Sequence, residues 1–227
     1  MQRFLRYEYL YLYPLLLSAI LSLKTFGPKW PKQYKLFGVL VMVSLLTEAL
    51  ANFWIIRLHN LFGWDYSKNN LWIYNLFITV RLVLLQAIYY LLLHNPRIKR
   101  MIAVSAPILI LFGLINYFFI QGPFQSNTYT VITSHVTIIT LCLYYFRQLL
   151  QDPYIIVLHK EPMIWMTLGT FLYQTASLPF LVMFGFLNMY HSPLALSFLF
   201  INDTFNFLMC ICYLISFLCK PQHPQPL

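Results

Sequence analysis

Charge is scarce in this chain: 9% of its 227 residues are Asp, Glu, Lys or Arg, and only six are acidic. A soluble domain carries about 25%, so a soluble globular fold is excluded. The mean hydropathy of +0.67 marks an integral membrane protein. Other scarcities exclude particular chemistries. Six acidic residues are too few for a di-iron centre built from several Glu and His ligands. Of six histidines only His135 lies well inside an apolar run, which removes a bis-histidine haem. His59, His94, His159, His191 and His223 fall in loops or flanks without ligand spacing. Every lysine stands at a helix end or in a loop, so none can form the intramembrane Schiff base of a retinal protein. Neither H-E-x-x-H nor G-x-S-x-G occurs.

The four cysteines, Cys142, Cys210, Cys212 and Cys219, fall in expected helices and read as small apolar packing residues. Cys210 and Cys212 are two apart, so they point in different directions on a helix and make no metal pair. Cys219, at a helix end, is a position open to acylation. No cofactor and no metal is expected. An enzyme using Glu48 or Asp203 as general acid or base has no support beyond the carboxylates themselves.

What is abundant is apolar surface, 60% of all residues. It is gathered in seven runs, at residues 7–23, 36–56, 71–93, 101–120, 129–150, 163–189 and 194–218. About 20 helical residues cross a ~30 Å hydrocarbon core. The runs are continuously apolar rather than alternating, and only a helix satisfies its backbone within one segment in lipid. The expected fold is therefore all-α, one seven-helix transmembrane bundle. Basic residues precede the first run, as in a signal peptide. That run ends in Leu23-Lys24-Thr25-Phe26 without a small-residue cleavage site, so it is kept as a membrane helix.

Lysines and arginines in short loops set orientation. One side holds ten (Lys24, Lys29, Lys32, Lys35, Arg97, Lys99, Arg100, Arg147, Lys160 and Lys220); the other holds Arg3, Arg6, Arg57 and Lys68. The expectation is an outside N-terminus and a cytoplasmic C-terminus. The +9 net charge is then a topology signal. Nucleic acid is not an expected partner, because the basic residues are scattered over membrane flanks. Trp54, Trp64 and Trp72 group at the outer interface and Trp30 and Trp165 at the inner one, as aromatic belts do.

The loops are short, so a sensing role calls for a separate signalling partner. Residues 151–161 contain Tyr154-Ile155-Ile156-Val157-Leu158, suited to lie at the membrane surface or dock such a partner. Pro107 and Pro179 fall within long runs and remove one helical hydrogen bond each. An offset of 131 residues aligns Gly38 with Gly169, and Tyr74-Asn75-Leu76-Phe77 with Phe205-Asn206-Phe207-Leu208. This suggests a three-plus-one-plus-three repeat, although the first and fifth runs do not align.

Polar residues inside the runs recur at helical spacing. Ser44, Glu48 and Asn52 form one stripe, and Asn75, Thr79 and Gln86 another. Thr170, Gln174 and Ser177 form a third; Asn202 and Asn206 flank Asp203, and Ser134, His135 and Thr137 lie on the fifth run. Charged groups at bilayer depth are costly and usually mark function. At ~1.5 Å per residue, Arg81 lies roughly 15 Å below its helix start and Glu48 roughly 18 Å from its own. Arg81 is expected to pair with Glu48 or Asp203. On the helical wheel it points about 140° away from the Asn75–Gln86 stripe, toward a different neighbour. The candidate ligand or ion pathway is Glu48, Arg81, Asp203, His135, Asn52, Asn75, Gln174 and Asn206.

The stretch Ile73-Tyr74-Asn75-Leu76-Phe77, the helix start Glu161-Pro162-Met163-Ile164-Trp165 with Gly169, and Phe217-Leu218-Cys219-Lys220 carry a resemblance. Together they resemble a group of small seven-helix bacterial inner-membrane proteins with no established activity. The resemblance implies an inner-membrane location and transfers no functional residue. Three functions are open at this point: a ligand-binding or sensory accessory protein, a small-solute or proton-coupled transporter, and a structural scaffold. For the first, the expected partners are the bilayer, an unknown small ligand and a separate signalling protein.

Overall fold

The computed structural model describes residues 9–59, 69–151, 160–189 and 193–220. Among them stand seven α-helices and no strand. They are α1 (Leu12–Ser22), α2 (Lys32–Phe53), α3 (Leu71–Leu92), α4 (Pro96–Ile115), α5 (Thr128–Gln151), α6 (Pro162–Met189) and α7 (Pro193–Leu218). Five segments are long and apolar enough to cross a membrane: Lys32–Arg57, Leu71–Leu92, Pro96–Ile120, Thr128–Gln151 and Phe200–Leu218. The chain is thus a helical, multi-pass membrane protein. The start of the first expected run, Trp64 and the apolar stretch at 154–158 lie outside the described residues.

Local chemistry sets the ends. Asn95 caps α4, its side chain accepting from the Arg97 amide at 2.9 Å, and Pro96 fills the first helical position. The helix therefore begins five residues before its apolar run, and Arg97, Lys99 and Arg100 ride on its first turns. Asn69 receives the Leu71 amide at 2.7 Å and starts α3. α2 and α4 end in wider turns, Trp54–His59 and Asn116–Ile120, each with π-helical pairing. Gly122, at φ 80°, turns the chain out of the second one, a conformation a side chain would strain. Pro107 and Pro179 lie inside α4 and α6 as expected.

Helix neighbours run α1–α2–α3–α5–α6–α7 and back to α1, a closed ring of six. α4 stands outside it, against α3, with its Gly113 set between Thr79 of α3 and Thr130 of α5. Its other flank exposes Met101, Val104, Ile108, Leu111 and Ile115, three or four residues apart, a stripe suited to lipid. The ring closes most tightly at α6–α7. There a Cβ on Gly169 would stand 2.6 Å from Cys212 Cβ, so only glycine allows this approach. Gly38, its partner in the 131-residue offset, meets Thr25 and Phe26 at the end of the first helix instead. The two glycines thus serve non-equivalent joints.

Contacts between helix ends define two faces. Lys24 donates to the Phe217 carbonyl, Ser216 to the Pro162 carbonyl (2.7 Å), Tyr34 to Glu161 (2.7 Å) and Gln148 to the Leu92 carbonyl (3.2 Å). These share the face where α7 ends, here called the C face. α1, α3 and α5 begin at the opposite, N face. Toward the C face the ring is filled. Phe37 stacks on Phe217 at 4.5 Å and meets Tyr213 edge-on at 5.0 Å. Leu85, Tyr89, Cys142, Met163 and Met166 complete a core with no exposure.

Candidate functional site

The inward stripe of each ring helix changes chemistry toward the N face. On α2 it reads Leu40, Ser44, Glu48; on α3, Leu71, Tyr74, Asn75, Ile78, Arg81; on α7, Asn202, Asp203, Asn206, Met209, Cys210, Tyr213. Apart from the adjacent pairs Tyr74–Asn75, Asn202–Asp203 and Met209–Cys210, successive positions are three or four residues apart, so each set presents one face. With Tyr11 and Leu15 from α1, Val131 and His135 from α5 and Tyr173 from α6, they line one cavity of about 400 Å³. Leu71 and Ser126, at the N-face ends, also line it, so the cavity extends to that face.

Six of the eight nominated residues, Glu48, Arg81, Asp203, His135, Asn75 and Asn206, meet here. Gln174 and Asn52 do not. Gln174 is buried within α6, and its Oε1 has no hydrogen-bond partner among the described residues. Asn52 spends its amide on the Glu48 carbonyl one turn back, at 2.8 Å. The Asn75–Thr79–Gln86 stripe also divides. Asn75 faces the cavity, whereas Thr79 meets Gly113 and Gln86 donates to Ser105 at 3.4 Å, both on α4. α3 is polar on two sides because it alone lies between the cavity and α4. This is why Arg81 diverges from Gln86 yet shares the cavity with Asn75.

Glu48 accepts from Tyr74 Oη at 3.0 Å, and Tyr11 lines the same cavity. Arg81 does not find a carboxylate. Its Nη2 stands 3.3 Å from Met209 Sδ, and its Cζ lies 5.1 Å from the Tyr173 ring centroid. Among the described residues these are the direct contacts of the guanidinium, in place of the expected ion pair. A cation over a tyrosine face is attracted by the ring quadrupole, but a thioether is a weak acceptor for five N–H donors.

His135 bridges α5 and α6. Its Nδ1 is 2.8 Å from the Val131 carbonyl and its Nε2 is 3.1 Å from Ser177 Oγ. A carbonyl only accepts, so Nδ1 carries a proton. Ser177 Oγ also lies 2.6 Å from the Tyr173 carbonyl. Its single proton therefore goes either to that carbonyl or to Nε2, depending on whether the imidazole is charged. Asn75 serves the rim. Its Nδ2 donates to the Pro123 and Gln125 carbonyls (3.0 and 2.7 Å) and its Oδ1 accepts from the Asn127 amide (3.2 Å). Its polar atoms hold the loop between α4 and α5, which leaves little of them for a ligand.

Tyr11, Tyr74, Tyr173 and Tyr213 also line the cavity, although tyrosine counts among the apolar residues of the composition and none of the four was nominated. Their spacing was the available signal: Tyr74 is seven residues, two turns, before Arg81, and Tyr213 seven after Asn206. Of the cysteines, Cys142 is within 3.0 Å of Tyr89 Oη, Cys212 packs on Gly169 and Cys210 touches the cavity. Cys219, beyond the end of α7 and half-buried, has its thiol pushed upward by burial, which disfavours the reactive thiolate. Among the described residues no cluster of three or more His, Cys, Asp or Glu could hold a metal ion.

No family model matches the chain, and neither a curated protein nor a solved structure does.

Proposed function

We propose that this protein binds a small solute in its N-face cavity and acts as a sensory or accessory component, its occupancy read by a separate partner. One observation carries the reading: charged and polar groups from separate helices, spread over more than 150 residues of sequence, converge on one cavity that reaches a membrane face. Arg81, Glu48 and Asp203 all border this space, which would hold about a dozen waters at ~30 Å³ each. By the distribution of basic residues the N face is the outer face, and the resemblance noted above implies a bacterial inner membrane.

Thiol labelling tests this. In a variant lacking the four native cysteines, Ser44→Cys and Asn206→Cys are expected to react with a membrane-impermeant reagent added from the N-face side only. Leu46→Cys, on the exposed side of α2, is the unreactive control. Absence of labelling at both cavity positions in folded protein would refute an accessible site. Labelling from both faces would replace this reading with transport by alternating access.

A further inference from the structure

The walls of the cavity specify a ligand more narrowly than its size does. Arg81 offers a planar fork of five N–H donors, and its direct contacts are one thioether sulfur and one tyrosine. Most of the fork is therefore open to the cavity. A guanidinium matches a carboxylate with two parallel hydrogen bonds, a geometry no water provides. At the other end, Glu48 is held by Tyr74, which occupies one of about four acceptor positions on a carboxylate. The remaining positions suit a donor bearing positive charge.

Tyr74 precedes Arg81 by seven residues, about 10 Å of helix rise. The carboxylate it orients and the guanidinium are thus anchored at different depths of a cavity of about 400 Å³. A purely anionic solute would leave Glu48 without a cationic donor, and a purely cationic one would leave the Arg81 fork without an oxyanion.

Resting on the ligand-cavity reading above, we propose that the occupant is a zwitterionic amino carboxylate. Its carboxylate docks in the Arg81 fork beside Tyr173, and its ammonium sits against Glu48 toward the N face. The cavity lies near the lower end of the ~300–1,000 Å³ range of small-molecule sites, which suits a single amino acid or ω-amino acid rather than a peptide.

Calorimetric binding to the full chain in detergent tests this with a defined panel. It contains the standard L-amino acids, β-alanine and 4-aminobutyrate. For the tightest binder it adds the compounds lacking only the amino group or only the carboxylate. The expected result is saturable binding of at least one amino carboxylate, weakened about tenfold or more by removal of either group. Glu48→Gln and Arg81→Met should each do the same, and Asn52→Ala should change nothing. Arg81→Lys keeps the cation, and therefore the fold, but loses the fork; it should also bind about tenfold more weakly. If the acid-only or amine-only compound binds as well as the parent, or Arg81→Lys binds like the parent, the amino carboxylate assignment is wrong while a ligand cavity stands. Failure of the whole panel at millimolar concentration with folded protein also overturns it, and the labelling result then decides whether a site exists.

Discussion

The same six helices enclose two unlike interiors. Toward the C face, inward positions carry Phe37, Leu85, Tyr89, Met163, Met166 and Phe217, and the ring closes without space. Toward the N face the corresponding positions carry Ser44, Glu48, Arg81, Asn202 and Asn206, and the ring stays open around about 400 Å³. Backbone geometry is not the cause, since each helix runs unbroken through both halves. Side chains decide it: a charged group withdrawn from water loses several kcal/mol unless fully paired, so ionisable residues on facing helices keep hydrated space between them. Aromatic rings have no such need and approach to 4.5 Å. One half supplies stability, the other keeps a site.

The largest expected break in this contrast is Phe37→Ala. Lipid removes the usual transfer term, leaving lost packing. A void of roughly 100 Å³ at ~24 cal/mol per Å³ costs about 2.4 kcal/mol. Denaturant unfolding in mixed micelles should show this loss, and a change below about 0.5 kcal/mol would mean that the C-face half is not the stable one. Asn75→Ala comes next. It removes three hydrogen bonds to residues 123–127, each worth about 0.5–1.5 kcal/mol. The expected effect is faster amide exchange confined to that loop, with the C-face core unchanged.

The contrast also explains what could be read in advance. The all-α character and the approximate placement of the helices followed from apolar runs, because spanning a membrane leaves the backbone no alternative; among the described residues five segments are long and apolar enough to cross. Glu48, Arg81 and Asp203 stood out as charges at depth and do share a cavity. The partner of Arg81 did not follow, because Met209 and Tyr173 carry no formal charge. Nor did the displacement of α4 from the ring. Its sequence is as apolar as that of its neighbours, and whether an apolar helix faces lipid or protein is fixed by packing that periodicity does not record. The position of α4 is also what divides the polar residues of α3, since Thr79 and Gln86 make sense only once a helix stands behind them.

Charge removal sharpens the comparison from the other side. The double substitution Glu48→Gln with Arg81→Met is expected to shift unfolding stability by no more than about 1 kcal/mol, in either direction, because desolvation already offsets much of what these groups contribute. Binding, by contrast, should be lost. A fall as large as that of Phe37→Ala would make the charged groups part of the packing and remove the distinction between the two halves.

Gln174→Met gives the smallest effect and tests the boundary between them. Gln174 follows Tyr173 on α6 but turns away from the cavity, and its buried Oε1 lacks a hydrogen-bond partner among the described residues. An unpaired buried acceptor carries a desolvation cost of about 1–3 kcal/mol, and an apolar group of similar shape relieves it. Methionine, close in length and flexible enough to fill the same space, should therefore leave thermal stability unchanged or raise it slightly, with ligand binding intact. A clear loss of stability would show that the amide is paired when the protein sits in lipid. A loss of binding alone would place Gln174 in the cavity wall beside Tyr173.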